Sequence, residues 1–133
     1  MSGEGLVKIR GWLMGFAGVV CLAYGVLAIL TGRPDPMPQF IPGAAGVAAA
    51  VAIYLAFWQA GAASRKAASD EMFTQEMNGA IKVGFWVGIF LYPAFAPFLI
   101  AGMTTFEVAF AAMGTLMAAA YLLTFAVSTL RGL

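Results

Sequence analysis

Four stretches of this chain run for roughly 20 residues each without an Asp, Glu, Lys or Arg, the length that crosses the hydrocarbon core of a bilayer. They occupy residues 11–31, 43–63, 83–103 and 108–130. Of the 133 residues, 62% are hydrophobic and only 10% charged. A soluble domain of this size buries only about two thirds of the surface its unfolded chain exposes, so large apolar patches would face water. That excludes an ordinary soluble domain. Lipid cannot satisfy backbone N–H and C=O groups, and continuously apolar spans meet that constraint as helices. The expected fold is all-α: one integral membrane four-helix transmembrane bundle over residues 1–133.

Charge sets the expected orientation. Lys8, Arg10, Arg65, Lys66, Lys82 and Arg131 fall on one side of the four spans and Arg33 alone on the other. The positive-inside rule then puts both termini in the cytoplasm, an N-in/C-in topology. Residues 64–82 become a polar cytoplasmic loop and residues 32–42 a proline-rich outer loop. The first span follows basic residues as a signal peptide does, but its apolar run exceeds the usual 7 to 15 residues of such a segment, so a permanent helix is expected.

The outer loop holds Pro34, Pro36, Pro38 and Pro42, which stiffens it into an extended path clamping the first two helices. Gly32 is placed to cap the first helix and Pro42 to sit early in the second. In the cytoplasmic segment, Ser69 or Asp70 can cap a helix carrying Asp70 and Glu71 in its first turn. Met72, Phe73, Met77 and Ile81 then mark an apolar face, which predicts an amphipathic extension into the third span. Asp70, Glu71 and Glu76 make this the candidate polar or partner-binding segment. Thr104 followed by Glu107 reads as a capping box for the fourth helix. Glu107 is also the acidic residue nearest a span and thus the candidate for ion coupling, although capping accounts for it without transport chemistry.

Gly11, Gly15, Gly18 and Gly25 fall within about 80° of one another around a helix and form one packing stripe. Gly84 with Gly88, Gly46 with Ala50 and Gly114 with Ala118 repeat the small-residue spacing that lets membrane helices approach closely. Pro93 and Pro97 predict a kink in the outer half of the third span, freeing carbonyls near positions 89 and 93 for Tyr92, Tyr121 or Thr124. Trp12, Trp58 and Trp86 are expected in an aromatic belt at the cytoplasmic ends of the spans.

Catalytic and ligand chemistry is sparse. With no histidine and the single cysteine Cys21, His-ligated metal, haem and pigment sites, disulfides and Cys-based zinc clusters are excluded. Cys21, inside an apolar run, is expected to pack as a small hydrophobe. No lysine lies inside a predicted span for a retinal Schiff base, and no phosphate-binding loop or nucleophile elbow is present. A net charge of +1 excludes the basic surface of a nucleic-acid binder. Small multidrug transporters are similar in size but depend on a glutamate in the first helix, which is absent here. The plan resembles that of small bacterial inner-membrane proteins, which implies location and no activity.

The sequence therefore predicts a non-catalytic accessory or scaffold subunit with no catalytic residue, cofactor or metal. Its expected partners are membrane lipids and other membrane protein subunits or further copies of itself. The alternative is a small homo-oligomeric transporter or channel built around the kinked third helix.

Overall fold

The computed structural model describes residues 2–132. Its five helices are α1 (Gly3–Thr31), α2 (Phe40–Gln59), α3 (Ala62–Ala68), α4 (Glu71–Ile100) and α5 (Phe106–Arg131), with no strand among the described residues. All but α3 are long and apolar enough to cross a membrane, and the chain is read as an integral membrane protein on that ground.

The helix ends follow local chemistry. The Ser2 hydroxyl accepts from the Gly5 N–H at 3.0 Å, starting α1 two turns before the predicted span. Those turns persist because Leu6 is fully buried against Ala60 and Ala68. Gly32, at φ 67°, ends α1 in the left-handed conformation that glycine adopts without strain. Asp70 caps α4 by accepting from the Phe73 N–H at 3.2 Å. At the far end of α4, Met103 N–H bonds Phe98 C=O and Gly102 N–H bonds Leu99 C=O, with Gly102 at φ 74°. This Schellman motif makes the tight turn into α5.

Three local expectations are corrected. The cap of α5 is Thr105, whose hydroxyl accepts from Val108 N–H at 3.3 Å, so Glu107 lies in the first turn and closes no capping box with Thr104. Residues 64–82 are not a loop: α3 takes up its start, and α4 runs unbroken from Glu71 because the Asp70 cap and the amphipathic turns propagate into the apolar stretch. Tyr121 supplies no partner to the proline-freed carbonyls; its hydroxyl bonds the Met77 sulfur at 2.8 Å, while Tyr92 is exposed.

The helices pack in the order α2–α1–α5–α4, with α3 tucked against α1. Two helical hairpins thus meet through α1 and α5, and both described chain ends lie at one end of the bundle. Of the apolar stretches, 33% of α1 and 28% of α5 is buried, against 6% of α2 and of α4. The seam is made by glycine. A Cβ added at Gly18 would stand 2.9 Å from Leu123, and one at Gly25 would stand 2.8 Å from Thr115 and Leu116. Gly11 faces Leu130 and Gly15 faces Ala126, so the antiparallel register holds over four turns.

Tyr24, a buried residue of α1, donates its hydroxyl to the Pro34 carbonyl at 2.7 Å and fastens the proline-rich loop to α1. Cys21 is buried on the same helix.

Filling the seam should be costly where the backbones touch and harmless elsewhere. Gly25→Leu should destabilise the detergent-solubilised protein by about 1–3 kcal/mol through overpacking. Gly46→Leu, where an added Cβ meets nothing within 4 Å, should change stability by under about 0.5 kcal/mol. Equal effects in denaturant titrations would contradict this packing.

Candidate functional site

At the end of the bundle that carries both chain ends, Arg10 is buried, with 6% of its surface exposed. Its position follows from the helix period: Leu6, Arg10, Ala17, Cys21, Tyr24 and Ala28 recur at helical spacing and form the buried stripe of α1. Three aromatic rings surround its guanidinium, each from a different helix. Phe73 of α4 lies 4.2 Å from it, and Phe57 of α2 and Phe125 of α5 each lie 5.6 Å away. Phe73 and Phe125 also meet edge to face at 5.9 Å. One side chain of α1 therefore joins all four long helices.

A buried cation needs electrostatic compensation. The ring faces supply part of it through their quadrupoles, and the Glu76 and Asp70 carboxylates act on Arg10 across the site without closing an ion pair. Glu76 is held in place by the Thr129 hydroxyl, which donates to it at 2.5 Å and is itself 2% exposed. The Nε of Arg10 has no hydrogen-bond partner among the described residues. Arg10, Asp70, Phe73, Glu76 and Thr129 line a cavity of about 150 Å³.

The acidic segment singled out from sequence is thus divided. Asp70 and Glu76 converge on Arg10, whereas Glu71 is an exposed first-turn residue of α4. Glu107 lies at the opposite end, exposed in the first turn of α5. Gly84 faces Tyr121 and Gly88 faces Met117, both on α5, while a Cβ at Gly114 would meet nothing within 4 Å. Gly114 instead borders an open groove with Ile81, Phe85 and Met117. Pro93 and Pro97 are exposed on α4, and the intervening Ala94 and Phe95 line a cavity of about 410 Å³ with Ile29, Met103 and Thr105.

The contacts of Gly84 and Gly88 also fix how far α4 slides along α5. Lys82, half a turn before Gly84, lies level with about Leu123 of α5 and Gly18 of α1. It is therefore roughly 10 Å further along the bundle axis than Gly11, where the first apolar stretch begins. Trp86 follows one turn later, level with the middle of α1 and not with its end as expected, because α4 is offset by about two turns from the span boundary that charge alone predicts. Lys82, Trp86 and Phe90 share an exposed face of α4, with Trp86 stacked on Phe90 at 6.1 Å. Lys82 has no ion-pair partner among the described residues.

Sequence reasoning missed Arg10, Phe57, Phe73, Phe125 and Thr129 as one site. The signal for Arg10 was present in its register with the apolar stripe of α1, but a basic residue flanking a span reads first as a topology marker. A double-mutant cycle tests the cage. Phe73→Leu should cost about 1–2 kcal/mol, and the coupling to Arg10→Met should be about 1 kcal/mol. A coupling near zero would mean that Phe73 only fills space. Comparison with known protein families, curated proteins and solved structures finds no match for this chain.

Proposed function

We propose that this chain is a non-catalytic accessory subunit of the bacterial inner membrane, with both termini in the cytoplasm, that binds another membrane protein through the outward face of α4. The observation that carries this reading is Lys82. It lies alongside the apolar stretches of α1 and α5, on an exposed face, with no ion-pair partner among the described residues. A charge at membrane depth is costly and is retained where it meets a partner group; a long lysine stem can also carry its ammonium to the interface. A partner helix offering a carboxylate opposite Lys82 and packing on Trp86 and Phe90 satisfies both the charge and the apolar face.

The orientation rests on Lys8, Arg65, Lys66 and Arg131 gathering at the end where the chain ends lie, with Arg33 at the other. The transporter reading draws on the cavity beside Pro93 and Pro97, but no ionisable side chain lines it, which favours the subunit reading. Gentle-detergent purification of the full chain should recover a companion membrane protein at fixed stoichiometry. Lys82→Met should abolish recovery with thermal stability unchanged. A wild-type chain isolated only as a lone bundle, or a companion indifferent to Lys82→Met, would overturn the proposal.

A further inference from the structure

The Arg10 cavity differs in chemistry from two larger cavities of the bundle. The groove between α4 and α5 is open and apolar, and the cavity beside Pro93 and Pro97 offers only threonine hydroxyls as polar side chains. The Arg10 cavity brings a buried cation and two carboxylates around a volume of about 150 Å³, room for several waters or one small polar group. The centroids of the aromatic rings lie 4.2 to 5.6 Å from the guanidinium carbon, and the rings offer no hydrogen-bond acceptor oxygens to its N–H donors. The Nε donor is buried with no hydrogen-bond partner among the described residues, so the cation is only partly compensated by the protein around it. Glu76 commits one oxygen to Thr129, and Asp70 commits one to the backbone of Phe73. Each retains a second oxygen with no donor among the described residues.

This charge set selects its ligand. A lone anion would meet the field of two carboxylates, and a lone cation would meet Arg10. A zwitterion with an anionic oxygen group at one end and an N–H-bearing ammonium at the other satisfies all three. The cavity also lies at the end of the apolar stretches, the level of lipid headgroups. We propose that it binds a phosphoethanolamine group, with phosphate oxygens accepting from Arg10 and the ammonium donating to Glu76 and Asp70. A choline headgroup lacks the N–H donors, and a glycerol headgroup can place its phosphate on Arg10 but brings no cation to the two carboxylates. Headgroup binding in this cavity does not require a partner at α4.

The test is native mass spectrometry of the full chain in detergent, with ethanolamine, choline and glycerol phospholipids of identical acyl chains supplied in equal amounts. Ethanolamine lipid should be retained about tenfold over each of the others, the worth of one charge-assisted hydrogen bond. Glu76→Gln should bring the three lipids to parity. Asp70→Asn, which keeps an oxygen for capping α4, should weaken the preference with the helical circular dichroism unchanged. Soluble phosphoethanolamine that displaces the lipid at millimolar concentration would identify a free zwitterion as the occupant, and failure to displace it would identify the lipid. Equal retention of all three lipids by the unaltered chain, or a preference that survives Glu76→Gln, would overturn the assignment and leave a cavity holding water.

Discussion

The close approach of α1 and α5 is the contact on which the rest of the structure depends. Lipid removes the hydrophobic drive that packs helices in water, so association relies on backbone proximity and dense van der Waals contact. Gly11, Gly15, Gly18 and Gly25 of α1 provide that proximity over about four turns, with Leu116, Leu123 and Leu130 of α5 against three of them. Helices adjacent in sequence would be the natural pairs for short connections, yet the most heavily buried pair joins the first helix to the last. The hairpins α1–α2 and α4–α5 are then held together from within, and α2 and α4 keep most of their surface outward.

The two ends of the bundle are built on different physics. At the end bearing both chain ends, one cation and three aromatic rings join every long helix, and side chains from α4 and α5 enclose a charged cavity. At the other end the Tyr24 hydroxyl holds the proline-rich loop, and the proline-bearing end of α4 leaves a larger apolar cavity. A tightly joined end and a loosely packed end are consistent with the proposed subunit role, in which the chain keeps its own shape while offering surface to others. The outward α4 face, where Lys82 lies beside Trp86, is the part of that surface proposed to meet a partner.

Much of this was legible in the sequence because it depends on local or periodic chemistry. The four apolar runs, the glycine stripe, the caps at Gly32 and Asp70 and the early proline of α2 each rest on a few neighbouring residues. The offset of α4 against α5 did not show, because register is set by which side chains interlock across helices, such as Tyr121 against Gly84. That offset carries Lys82 and Trp86 to a depth that charge boundaries alone do not give. Arg10 escaped for a related reason: its burial needs rings from three distant segments, and none of those phenylalanines is distinctive by itself. The shift of the α5 cap from Thr104 to Thr105 is a choice between adjacent equivalent hydroxyls, decided by the turn at Gly102.

The helix order α2–α1–α5–α4 can be measured by cysteine cross-linking in a Cys21→Ser background within native membranes. A Cβ at Gly15 would lie 3.2 Å from that of Ala126, close to disulfide range. Gly15→Cys with Ala126→Cys should form an intramolecular disulfide rapidly under mild oxidation, and Val51→Cys on α2 with Val83→Cys on α4 should not. Rapid bridging of α2 to α4 with none between α1 and α5 would contradict the account.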